Sequence, residues 1–132
     1  MFELTDAIGQ GDRQRALVAL GALLDQRQSS VGVVMMLARH VRQLAVAQAG
    51  LQNRMPKGEL GKLLGVPPFV VDKLATQARS FKATALDRAI RRLAEADFAL
   101  KGGRPMLKTL GRDLGDRVVL DRLVAELLAM SG

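Results

Sequence analysis

The stretch from Lys57 to Arg79, KGELGKLLGVPPFVVDKLATQAR, decides the fold. Leu60, Leu63 and Leu64 recur at helical spacing and run into Gly65-Val66-Pro67-Pro68. A second helical pattern, Val70, Val71, Leu74 and Ala78, follows at once. Two short helices joined by a glycine turn have the outline of a helix-turn-helix, which serves either a DNA reader or a small packing unit. A recognition helix turns its first residues to base edges, where Arg, Lys, Asn, Gln, Ser or Thr are needed. Here those residues are Pro67-Pro68-Phe69-Val70-Val71-Asp72, apolar with an acid, and no donor comes before Lys73. The side chains oppose base reading, and the outline is left as a packing device.

Working outward, the rest of the chain also reads as helix. Ala and Leu dominate and strand alternation is missing. Glu3 to Ile8 is a short first helix, ended by Gly9-Gln10-Gly11. Asp12 is a good N-cap for a helix to about Gln26, with the stripe Ala16, Leu17, Leu20, Leu23 and Leu24. Ser29 or Ser30 caps a long helix to about Leu51. Its seam is Val34, Leu37, Val41, Leu44 and Leu51, with Ala38, Ala45 and Gln48 beside it. Pro56 opens the helix carrying Leu60, and Pro67 and Pro68 open the next, to about Ser80. Thr84 caps a helix from Ala85 to Lys101 with Leu86, Ala89, Ile90, Leu93, Ala96 and Leu100 on one side, and Gly102-Gly103 stops it. Arg104 to Gly115 reads as a loop with one helical turn at most. Asp116 then caps a last helix, Arg117 to Met130. The expected fold is all-α: one bundle of about seven helices, residues 1–132 forming a single domain.

Composition fits that reading. At 132 residues, 48% apolar and 25% charged, the chain is long and apolar enough for one globular core. No apolar run reaches membrane-spanning length, and Met1-Phe2-Glu3-Leu4-Thr5-Asp6 lacks the pattern of a signal peptide. Cysteine is absent, which rules out disulfides and thiol chemistry and fits a cytoplasmic protein. Lys and Arg number 20 against 13 acids, a net +7. That surplus suits a polyanion, an acidic protein partner, or a solvated Arg-rich surface. The tightest clusters are Arg39/Arg42 and Arg88/Arg91/Arg92. With only Phe2, Phe69, Phe81 and Phe98 as aromatics, a stacking platform for single strands is hard to build.

A search for chemistry finds little. His40 is the one histidine and reads as a surface or packing residue. A catalytic triad would need it as base, and no glycine-framed nucleophile elbow accompanies it. Gly9-Gln10-Gly11 and Gly102-Gly103 follow helices and lack a Lys-Ser/Thr, so neither is a phosphate cradle. Asp113 and Asp116 read as a turn residue and a cap, not as cation ligands. The sequence supports no catalytic, cofactor-binding or metal-binding residues and no small-molecule substrate.

Three features break the amphipathic pattern. Asp97 points about 20° from Leu86 on the wheel, inside the apolar stripe, where a carboxylate needs a partner. Lys101, four residues on, supplies one in the favourable acid-first order. The pair reads as a structural tie, against a carboxylate held for another protein. Phe98 lies about 120° from the stripe centre, so it either covers the Arg104–Gly115 segment or faces a partner. The last helix carries Val119, Leu120, Leu123, Val124, Leu127, Leu128 and Met130, an arc of about half the circumference where an ordinary surface helix needs little over 100°. It is either central in its own bundle or shares an edge with another chain. Phe98, Val119, Leu123, Leu127 and Met130 are the candidate interface residues.

Read in order, these residues resemble the C-terminal domain of the delta subunit of bacterial DNA polymerase III, part of the clamp loader. The resemblance rests on Phe2-Glu3-Leu4-Thr5-Asp6-Ala7-Ile8 with Gly11-Asp12 and Ala16-Leu17, and on Leu37-Ala38-Arg39 with Arg42. It continues through Leu64-Gly65-Val66-Pro67-Pro68 with Lys73, then Ala94-Glu95-Ala96-Asp97 with Leu100-Lys101-Gly102. It covers about residues 2 to 130. Arg104 to Gly115 is longer than the family pattern implies. The resemblance implies an all-helical collar without catalytic residues that joins the tau/gamma and delta-prime collars into a ring in the cytoplasmic replisome. It also implies that the chain is the last part of a longer protein, with Met1 an added start, and that DNA is met only indirectly or non-specifically. The alternative is a small basic, helix-turn-helix-like nucleic-acid-binding domain touching phosphates through its arginines.

Overall fold

The chain is described here by a computed structural model of residues 2–103 and 112–130. Among these residues there are seven α-helices and no strand: α1 Phe2–Gly9, α2 Arg13–Asp25, α3 Ser30–Gln52, α4 Lys57–Leu64, α5 Pro68–Arg79, α6 Ala83–Phe98 and α7 Arg112–Met130. The all-α bundle expected from the sequence is what the chain adopts.

Local chemistry sets most of the boundaries. The Asp12 carboxylate accepts the Arg15 N–H at 3.2 Å and the Ser29 hydroxyl accepts the Gly32 N–H at 2.9 Å, so α2 and α3 begin on side-chain caps. Pro67 is the N-cap of α5 and Pro68 its first residue, where a missing N–H costs nothing. α6 runs on through a wide π-type turn, Ala99–Gly103, and breaks where Gly102 takes φ 88°.

Two starts differ from the sequence reading. α6 begins at Ala83, with Lys82 as N-cap; the Lys82 carbonyl accepts from Ala85 and Leu86 at 3.0 and 3.1 Å, which places Thr84 inside the first turn. α7 begins at Arg112, so Asp113 and Asp116 are helical residues and Asp116 is no cap. Gly115 is buried there. A mid-helix glycine costs about 1 kcal/mol against alanine, and the packing of α7 outweighs it. The remainder of the Arg104–Gly115 segment lies outside the described residues.

α3 is the axis of the bundle and packs against α4, α5, α6 and α7. α7 in turn touches α1, α2, α3 and α6, closing the far side. Of the expected seam, Val34, Leu37, Val41 and Leu44 are buried and Leu51 is half-buried, with Val33 and Ala47 added to it. Leu4, Leu20, Leu86, Leu120 and Leu123 meet in the same core. Each such leucine contributes about 1.5–3 kcal/mol by leaving water. Leu17 and Ile90, also on expected stripes, stay exposed, because those stripes are wider than the surface that covers them.

Candidate functional site

The α4–α5 turn is built for packing. Gly65 caps α4 at φ 70°, a left-handed position, and its N–H reaches the Gly61 carbonyl at 2.8 Å. Leu60 is buried against Gly50 of α3, and a Cβ at Gly50 would stand 2.8 Å from a Leu60 methyl. The start of α5 presents Phe69, 73% exposed, to solvent. Its first charges are already engaged: Asp72 with Lys57 at 2.6 Å, and Lys73 with Asp6 of α1 at 2.5 Å. The first donor that a base could have used is tied to another helix, so DNA reading by this unit is not favoured.

A polar joint holds α1, α3 and α5 together. Buried Gln77 is its centre. The His40 Nε2 and Gln77 Oε1 atoms are 2.9 Å apart, and Gln77 Nε2 donates to Asp6 Oδ1 at 3.3 Å. With Gln77 donating through its nitrogen, its oxygen accepts from His40, which fixes the Nε2–H tautomer. Burial pushes the His40 imidazole below its ordinary pKa, partly offset by the Gln77 hydrogen bond. His40 thus packs and bonds within the bundle. The sequence reading passed over Gln77, although its spacing of three from Leu74 had put it on the buried face of α5.

Between α3 and α6 lies an open groove of ≈ 340 Å³. Val34, Met35, Ala38 and Arg42 line one side; Ile90, Leu93, Ala94 and Asp97 line the other, with Lys101 at its edge. Asp97 and Lys101 pair at 2.9 Å here. Met35 is 64% exposed. The second ridge on α3, Met35, Ala38 and Arg42 at three- and four-residue spacing, was the sequence signal for this groove. Of the arginine clusters, Arg92 is engaged by Glu126 of α7 and by Glu95 at 2.6 Å. Arg39, Arg42, Arg88 and Arg91 stay exposed.

Of the five candidate interface residues, Phe98 is 63% exposed and Met130 half-buried. Val119, Leu123 and Leu127 are instead buried in the chain's own core. The broad arc of α7 has an internal cause: four neighbouring helices cover it. Among the described residues, no group of three or more His, Asp or Glu side chains could hold a metal ion, and no helix is long and apolar enough to cross a membrane.

No curated protein matches the chain. Among solved structures, the fold is similar to the Bacillus subtilis DNA clamp loader delta protein (YqeN), with a TM-score of 0.80 and 23% identity over 97% of this chain. The chain spans 35% of the length of that protein. Residues 1–113 match the family described as DNA polymerase III delta subunit, C-terminal domain. With a match of that extent, on a helical bundle of the same shape, the chain belongs to the family of C-terminal domains of DNA polymerase III delta subunits.

Proposed function

We propose that these 132 residues act as a non-catalytic assembly domain, the collar of a clamp loader delta subunit in the cytoplasmic replisome. The observation that carries this reading is the family match over residues 1–113. The side chains support it. Several polar groups are engaged within the bundle, at Asp6–Lys73, Arg92–Glu126 and His40–Gln77. Phe98, Phe69 and Met35 are large apolar side chains left in solvent, beside the exposed arginines Arg39, Arg42, Arg88 and Arg91. Such a surface binds proteins by burying apolar area, at roughly 800 Å² per partner for a stable contact. The partners are the tau/gamma and delta-prime collars, and the parent protein loads the sliding clamp through them. No cofactor takes part, and DNA is met only indirectly or through phosphate contacts.

Co-elution with the tau/gamma collar tests this, alongside a titration against duplex DNA at two salt concentrations. The expected result is a stable complex that Phe98→Ala weakens and duplex affinity that collapses with salt. Micromolar duplex binding with a sequence preference, together with no collar complex, overturns the reading.

A further inference from the structure

The groove between α3 and α6 combines three properties. Its walls are apolar, and Ala38 and Ala94 leave space where larger side chains would close it. Its rim carries exposed Met35, an unbranched side chain that adapts to what it meets. Its charge is one-sided. Asp97 is neutralised by Lys101 at 2.9 Å, while Arg42, and Arg39 beside it on α3, pair with no acid among the described residues. Two packed helices with a channel between their ridges receive a third helix through side chains at three- and four-residue spacing.

We infer that this groove docks an amphipathic helix of a partner protein, one that carries carboxylates beside its apolar ridge. The ridge fills the space over Ala38 and Ala94, and a carboxylate meets the Arg42 guanidinium, a planar donor suited to bidentate pairing. The inference rests on the assembly reading only in taking the occupant to be protein. Charge complementarity selects the acidic helix: a basic one would bring its cations against Arg39 and Arg42.

The test uses the 132-residue chain with two labelled probes, a helical Leu/Glu peptide and its Leu/Lys counterpart, followed by fluorescence anisotropy. The expected result is at least tenfold tighter binding of the Leu/Glu peptide, a preference that Arg42→Glu reverses. Ala94 is exposed, so Ala94→Leu fills the groove without entering the core, and it should weaken binding tenfold or more with an unchanged thermal melt. Equal affinity for both peptides, or full affinity in Ala94→Leu, overturns the inference. The same variants go into the co-elution assay. A collar complex indifferent to both substitutions removes the groove and leaves the assembly reading standing. Acidic-peptide binding without any collar complex does the reverse.

Discussion

The bundle is closed by two joints of opposite character. Where α7 meets α1, α2, α3 and α6, the centre of the contact is dry, with Leu120, Leu123, Val124 and Leu127 all buried and the Arg92–Glu126 pair at its edge. Where α1 meets α3 and α5, the contact is wired through His40, Gln77, Asp6 and Lys73. A dry joint draws its strength from area and tolerates shifts in register. A hydrogen-bonded chain contributes less net free energy, but it fixes one arrangement, since every buried polar atom left unpaired is penalised. Gly9 shows how tight the wired joint is: a Cβ there would run into the Gln77 side chain.

That contrast can be broken in graded steps. Leu123→Ala opens a cavity in the dry joint and should destabilise the chain by about 2–5 kcal/mol, a loss that chemical denaturation finds equal at pH 7 and pH 5. Gln77→Ala strands His40 Nε2 and Asp6 Oδ1 together and should cost about 1–3 kcal/mol in the same assay. Asp12→Ala removes a cap that belongs to neither joint and should cost about 1 kcal/mol, additive with either of the others in a double-mutant cycle. The finest signal is a slope with pH. Burial disfavours the charged form of His40, so the folded chain binds that proton less readily than the unfolded one. Stability is full above the ordinary value of 6.5 and declines as pH falls from there toward the depressed folded value. His40 is the only histidine, so His40→Gln should flatten a melting-temperature profile across that window, and an unflattened profile would detach the slope from the wired joint.

Much of this was legible in the sequence. The caps at Asp12 and Ser29, the turn at Gly65 and the stop at Gly102 follow from backbone chemistry that a few neighbouring residues determine. The dry joint was half legible: the arc of α7 announced many neighbours, but periodicity gives a direction and not the identity of what lies there. The arc favoured a central helix, yet it left Val119, Leu123 and Leu127 open to an interface reading that their burial in the core removes. The wired joint was least legible. Its members lie up to 71 residues apart, and nothing local to Asp6 announces Gln77. The α3–α6 groove shows the same limit: the ridge Met35, Ala38 and Arg42 stands in the sequence, but the ridge of α6 that faces it is brought there only by the fold.

The position of α7 bears on how the chain is made. Its 19 residues leave the ribosome after the other six helices, yet they touch α1, α2, α3 and α6. Until they emerge, the nascent bundle lacks one wall and keeps apolar faces of four helices open to water. The finished core depends on the last of these seven helices to be made, so a pause or truncation before Arg112 should yield a chaperone client instead of a shorter native domain.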